Sequence, residues 1–325
     1  MRPDVRKWFD NRTSLSQDWS RQRLAALKGN TRVSVVLPAR DEAVTVGDIV
    51  ATIRGELVHK VPLVDEILVI DSGSVDATAA VARRAGARVV RQADVLPGLG
   101  DRPGKGEALW KSLLLTSGDL VVFVDADLRE FDEQFVVGLL GPLLTDPSVA
   151  FVKAFYDRPL ANGDQVLPAG GGRVTELVAR PLLNLHWPDA AGFVQPLAGE
   201  YAGRRALLER LPFVSGYGVE IGMLIDVLEE SGLDTMAQVD LGQRRHRNSS
   251  DAALGRMAAQ VHLAVLSRLH RHGRALVTDE PAMSMTQFER QGAEFATTTS
   301  YVGVTERPPM IELEEYRLRM AAERA

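Results

Sequence analysis

Short apolar runs alternate with helix-period stretches through the first half of the chain. Val33 to Leu37 reads as a buried strand stopped by Pro38, with a helical stretch following from about Thr45 to Leu57. Glu66 to Ile70 is a second strand, ended by Asp71-Ser72-Gly73-Ser74. Ser74 stands where it would N-cap an Ala-rich helix running to Arg84, with Gly86 as its stop. Arg88 to Val90 predicts a short strand, Gly106 to Leu115 a helix, and Leu120 to Val124 and Ala150 to Phe155 two further strands. Such alternation predicts an α/β fold with a doubly wound, mostly parallel sheet. After about Ala169 the pattern becomes Gly-rich loops and longer helices, including one from Asp251 to about Arg271. Residues past Met310 have helical propensity and read as a partner-binding or frayed tail.

Composition narrows the classes. The chain of 325 residues has mass for one large domain or a domain with an appendage. A net charge of -5 argues against nucleic acid as the main partner. The absence of cysteine removes disulfides and thiolate metal sites and agrees with a reducing cytoplasm. No apolar run approaches the roughly 20 residues needed for a membrane span. The polar stretch from Met1 to Asn11 has no signal-peptide core, so an intracellular, cytoplasmic protein is expected.

The candidate chemistry begins at Val121-Val122-Phe123-Val124-Asp125-Ala126-Asp127. An apolar strand that ends in two carboxylates must deliver them to the carboxyl edge of the sheet, because unpaired acids are too costly in a core. Hard oxygen ligands there suit Mg²⁺ or Mn²⁺ carrying a diphosphate; two solvated aspartates in an ordinary turn are the plain alternative. The loops at Pro38–Glu42 and Asp71–Ser74 also follow strands and would share that edge. There is no glycine between Val33 and Val46, which disfavours a dinucleotide-binding first turn and with it a nicotinamide-dependent oxidoreductase. Arg102-Pro103-Gly104-Lys105-Gly106 is not a P-loop, but it presents Lys105 at a helix start, where it is either solvated or bound to pyrophosphate.

Three later segments could take anions or sugar. Gly170-Gly171-Gly172-Arg173-Val174-Thr175 is a cradle for a phosphate distinct from the donor's, or a flexible connector. Arg244-Arg245-His246-Arg247-Asn248 could meet an acidic acceptor, with His246 as a further metal ligand. Gly216-Tyr217-Gly218-Val219-Glu220 lets a sugar approach a tyrosine and a carboxylate; alternatively Glu220 only complements a helix dipole.

With these residues in view, the chain resembles the GT-A fold nucleotide-sugar glycosyltransferases, and more closely the actinobacterial glucosyl-3-phosphoglycerate synthases. The resemblance runs from about Arg32 to Met310. It rests on VVLPARDE (Val35–Glu42), LVIDSGSVDAT (Leu68–Thr78), RPGKGEALWKSL (Arg102–Leu113) and FVDADL (Phe123–Leu128). It continues through GGGRVTELVARPLL (Gly170–Leu183), QPLAGEYA (Gln195–Ala202), GYGVEIG and RRHRN. Mannosyl-3-phosphoglycerate synthases share much of this framework.

The resemblance implies a GT-A, Rossmann-like fold, with residues 31–168 binding the nucleotide sugar and a mainly helical acceptor-binding region at 169–309. Residues 1–30 would be a helical extension and 310–325 a tail. It implies donor contacts from Pro38, Ala39, Arg40, Glu42, Ser72, Lys105, Asp125, Ala126, Tyr217 and Glu220. Arg40 stands where family members often carry an apolar residue. Metal ligation would fall to Asp127 and His246, the acceptor phosphate to Gly172, Arg173 and Thr175, and its carboxylate to Asn248 and Arg244. Glu220, Asp127 and Lys105 would be catalytic. The expected reaction moves glucose from UDP-glucose to the 2-hydroxyl of 3-phosphoglycerate with Mg²⁺ or Mn²⁺, retaining anomeric configuration by a front-face route. The alternatives are a GDP-sugar donor, GDP-mannose above all, or a silent nucleotide-sugar-binding protein. A homodimer is expected from the family and from the helix at 251–271. Its apolar residues Leu254, Met257, Ala258, Val261, Leu263, Val265, Leu266 and Leu269 exceed one stripe, unless a mobile segment, 272–299, covers the surplus.

Overall fold

Strand-forming runs alternate their side chains between two apolar layers. Val36, Leu68, Ile70, Val121 and Phe123 join one buried cluster, and Val35, Leu37, Ile67, Val69, Val122 and Val124 join the other. A sheet covered on both faces needs apolar residues at every position, which is why the runs are continuous. The structure, a computed structural model, describes residues 1–157, 160–162, 165–167, 172–244 and 250–324, with side chains outside 158–171, 245–249 and 323–325.

The sheet strands are β1 (Thr13–Leu15), β2 (Val33–Ala39), β3 (Glu66–Asp71), β4 (Arg88–Arg91), β5 (Leu120–Phe123), β6 (Phe151–Asp157), β7 (Tyr201–Arg204) and β8 (Met236–Gln243). Among the described residues they form one eight-stranded sheet in the order β1-β8-β6-β7-β5-β2-β3-β4. It is parallel except for β7, which runs antiparallel to both β5 and β6. The chain after residue 169 is largely helical and also returns two strands, β7 and β8, to the sheet.

Two local expectations need correction. The helix predicted from Thr45 to Leu57 is α-helical over Val46–Ile53, burying Val46, Ile49, Val50 and Ile53, and then widens into a π-turn over Arg54–Lys60 that keeps Leu57 buried. Ser74 does not cap the next helix, which begins at Thr78. Asp76 accepts the Thr78 N–H at 2.9 Å, while the Ser74 hydroxyl accepts the Asp41 N–H at 3.0 Å. That bond belongs to a lattice between the first two loops, with Glu42 N–H donating to Thr78 Oγ1 at 2.7 Å and Val75 N–H to Asp41 Oδ1 at 2.8 Å. The loops at residues 40–43 and 71–78 are therefore one rigid wall.

The long helix spans Asp251–Arg271, with Val261, Leu263, Ala264, Val265 and Leu269 buried and Leu254, Met257, Ala258 and Leu266 half-buried. Residues 277–283 pass over Leu263 and Leu266, leaving a cleft of about 400 Å³. From Ser284 the chain forms an antiparallel hairpin, Ser284–Gln291 with Glu294–Tyr301, which takes up most of the second half of the segment 272–299. The tail helix, Glu314–Arg324, docks through buried Tyr316, whose hydroxyl donates to Glu209 at 2.7 Å.

Candidate active site

β5 ends at Phe123, and Val124 N–H still bonds Val36 O at 3.0 Å, so Asp125 and Asp127 emerge beside the ends of β2 and β3. The two acids have different surroundings. Asp125 turns inward, its side chain 19% exposed, and pairs with Lys105 and with Arg244 at 2.9 Å. Asp127 is 42% exposed and takes Arg244 at 3.0 Å through Oδ1; among the described residues no partner engages Oδ2. Gly199 is required beneath Asp125, because any Cβ there would overlap its carboxylate.

Lys105 opens the helix Lys105–Leu115 and reaches three acceptors: Asp125, Glu220 at 3.1 Å and the Gly199 carbonyl at 3.0 Å. Burial alone would lower the Lys105 ammonium, but Asp125 and Glu220 outweigh it and hold it well above the usual lysine range. Burial likewise opposes ionisation of Asp125, and Lys105 with Arg244 overcomes it, holding that carboxyl well below its ordinary value. The Lys105–Glu220 meeting depends on two glycines. Gly104, at φ 102° and ψ 166°, lies so close to Gly216 that a Cβ would stand 2.6 Å from Gly216 backbone atoms. Tyr217 follows at 56% exposure, and Glu220 sits in the first turn of the helix Val219–Ser231.

Arg244, read as an acceptor contact, is turned inward at 7% side-chain exposure. Its guanidinium also donates to Tyr156 Oη at 2.6 Å and lies 3.5 Å from Glu200. Glu42 faces the same acids from the first loop; burial, then Asp127, Asp76 and Asp125, push its carboxyl up to about 7. Ser72 N–H bonds Ala39 O at 2.9 Å, which sets Pro38, Ala39, Arg40 and Ser72 along one edge. Ala126 is tied there by Thr45 Oγ1, which donates to its carbonyl at 2.6 Å.

Sequence reasoning missed Thr45, Lys153, Tyr156, Glu200 and Tyr201. The Lys153 amine and Tyr201 hydroxyl are buried beneath this cluster without hydrogen-bond partners among the described residues, the amine 4.6 Å from the Tyr201 ring centroid. Burial pushes the Lys153 amine down to about 7. Polar tips on otherwise apolar strands leave little signal, although QPLAGEYA contains both Glu200 and Tyr201.

Gly172 holds φ 85° and its carbonyl accepts from Glu176 N–H at 3.0 Å. Arg173 pairs with Asp251, and Thr175 is 3% exposed at the following turn. Gly170, Gly171, His246 and Asn248 lie outside the described residues. A hard divalent cation fits this donor chemistry: the Asp127 side chain is 42% exposed and its Oδ2 has no partner among the described residues, with phosphate and water oxygens able to complete the shell.

Residues 34–170 match the family model for glycosyl transferase family 2. A glucosyl-3-phosphoglycerate synthase of Petrotoga mobilis is 44% identical over 296 residues, covering 91% of both chains. A mannosyl-3-phosphoglycerate synthase crystal structure from Rubrobacter xylanophilus superposes with a TM-score of 0.87 at 42% identity, over 95% of this chain and 97% of that one. The glucosyl-3-phosphoglycerate synthase of Mycobacterium tuberculosis, crystallised with Mn²⁺, UDP-glucose and phosphoglyceric acid, gives 0.79 at 46% identity over 90% and 95%. An α/β sheet that is parallel but for one strand, likeness over nine-tenths of the chain and the paired acids at the strand ends agree: the chain belongs to the glucosyl-3-phosphoglycerate synthase family of glycosyltransferases.

Proposed function

We propose that this enzyme transfers glucose from UDP-glucose to the 2-hydroxyl of 3-phosphoglycerate, with retention of configuration and with Mg²⁺ or Mn²⁺ as its metal. The observation that carries the reading is the half-exposed Asp127 beside the buried Lys105–Asp125–Glu220 cluster, in a chain 46% identical to a synthase crystallised with Mn²⁺, UDP-glucose and phosphoglyceric acid. Residues 31–168 would hold the donor and residues 169–309 the acceptor.

Pro38, Ala39, Arg40, Glu42, Ser72 and Ala126 would line the nucleoside along the rigid wall of the first two loops. A divalent ion held by Asp127 and His246 would neutralise the charge that builds on the departing nucleoside diphosphate. Gly172, Arg173 and Thr175 would seat the acceptor phosphate and Asn248 would face its carboxylate, while Arg244, turned inward onto Asp125 and Asp127, would hold those acids in place.

The buried acids favour a front-face route. Asp125 and Glu220 are both ion-paired with Lys105, which weakens either carboxylate as the nucleophile that a double displacement needs. The acceptor hydroxyl then forms the new bond to the anomeric carbon as the bond to phosphate breaks, and its proton passes to the departing phosphate oxygen. Glu220 orients sugar hydroxyls and Lys105 holds Glu220 and Asp125 in place, so rate comes from positioning and fixed charge.

GDP-mannose is a second donor reading, favoured by the 0.87 TM-score likeness to the mannosyl enzyme. A mass-spectrometric product assay that offers 3-phosphoglycerate with UDP-glucose or GDP-mannose decides between them. Product from UDP-glucose alone is expected; preference for GDP-mannose would reassign the donor, and no product from either would overturn the function. The same reading places the enzyme in the cytoplasm as a homodimer without nucleic-acid partners.

A further inference from the structure

Gln92 stands behind the donor edge, 3% exposed, at the start of a short turn after β4. Its amide nitrogen donates to Asp101 Oδ1 and to the Arg102 carbonyl, both at 2.9 Å, and its amide oxygen lies 2.8 Å from Ser72 Oγ. Burial opposes ionisation of Asp101, but Lys111 and Gln92 outweigh it and keep that carboxyl below its usual range. Asp101 Oδ1 and Arg102 O therefore only accept. The amide can have one orientation here, because the flipped one would set its oxygen against two other oxygens. Lys111 strengthens the arrangement by donating to both Asp101 Oδ1 and the main-chain carbonyl of Gln92 at 2.9 Å.

The amide oxygen accepts only, so the Ser72 hydroxyl has to spend its single hydrogen on Gln92. What Ser72 presents to the cleft is lone pairs. We infer that Gln92 sets Ser72 as a hydrogen-bond acceptor for the ring N–H of the donor's base, and so selects uracil over cytosine. Uracil carries a hydrogen on N3; cytosine has a lone pair there, which would face the Ser72 lone pairs unpaired. The inference rests on the proposed placement of the nucleoside beside Ser72. Gln92 acts through Ser72 and is a positioning residue; it also ties the stretch before Lys105 to the base end of the site.

Titration calorimetry with UDP and with CDP, each in the presence of Mn²⁺, tests this on the wild type, Ser72→Ala, Gln92→Leu and Gln92→Glu. The wild type is expected to prefer UDP, and Gln92→Leu to narrow the UDP:CDP affinity ratio by about tenfold, because the freed hydroxyl turns its hydrogen toward cytosine N3. Gln92→Met replaces it should the Leu variant not fold. Gln92→Glu keeps an acceptor opposite Ser72 and should hold the wild-type ratio while both affinities fall. An unchanged ratio in folded Gln92→Leu, or a collapsed ratio in Gln92→Glu, overturns the inference. If Ser72→Ala binds UDP as tightly as the wild type, the base does not lie at Ser72, and the donor placement fails instead.

Discussion

Glu220 is the residue on which the chemical account turns. It is ion-paired to Lys105 at 3.1 Å and 8% exposed, and in the proposed mechanism it orients sugar hydroxyls rather than attacks. Glu220→Gln should lower kcat by about a hundredfold or more, and the wild type incubated with donor should show no hexose adduct in intact-mass spectra; an adduct mapped to Glu220 of the wild type would establish double displacement. Lys153 gives a pH signature. Its folded-state amine sits near 7, below its unfolded value, so folding is penalised fully below pH 7 and the penalty fades as pH rises toward that unfolded value. Lys153→Met should therefore raise Tm at pH 7, with a gain that shrinks by pH 10; a gain independent of pH would mean that the amine is not neutralised on folding. Asp125, Asp127, Lys105 and Glu220 stand out in the sequence because charge there interrupts strand ends or glycine loops. That Asp125 faces inward and Asp127 outward is not legible, since it depends on Arg244 arriving from more than a hundred residues away. Lys153 and Tyr201 are hidden for the opposite reason, lying within apolar strand sequence.

Among the elements, the early strands were readable because each is a continuous apolar run buried on both faces. β7 was not: Tyr201-Ala202-Gly203-Arg204 is four residues long, small in the middle, and becomes a strand only by filling the gap between β5 and β6. Tertiary context wins there over local propensity. Ser74 shows the same competition, since a hydroxyl suited to capping is used between loops instead. The Gly104–Gly216 approach is the joint that brings Lys105 to Glu220. Gly104→Ala places a side chain in a backbone region open essentially to glycine alone and drives it into Gly216. A stability loss of about 1–3 kcal/mol in denaturant unfolding and a fall in kcat are expected; full activity and stability would remove the joint from the account. At the Gly172–Thr175 turn, Arg173→Ala should raise KM for 3-phosphoglycerate by about tenfold to a thousandfold and leave UDP affinity unchanged. The reverse pattern in steady-state and binding measurements would exchange the two anion sites.

At the scale of the molecule, the hairpin after the long helix exposes Phe288, Phe295 and Tyr301 at 69%, 59% and 70%. The ribbon is tied to the long helix through Gln287, which donates to Ala252 O at 3.1 Å, but its strands have open edges, and a second copy packed against its exposed aromatic face would stabilise it. Static light scattering at micromolar concentration should give about twice the 35.5 kDa chain mass; the single-chain mass would assign the cover of that helix to residues 277–283 and the hairpin of the same chain. The periodicity of the helix revealed surplus apolar surface, but not which surface meets it, because that depends on chain returning from outside the helix.

Proton NMR of one reaction, UDP-glucose with 3-phosphoglycerate and Mg²⁺, followed with and without EDTA, tests the proposed retaining, metal-dependent transfer. An α-configured glucosyl product formed one-for-one with UDP, and none in EDTA, is expected; a β-configured product, free glucose alone, or turnover undiminished by EDTA would overturn it.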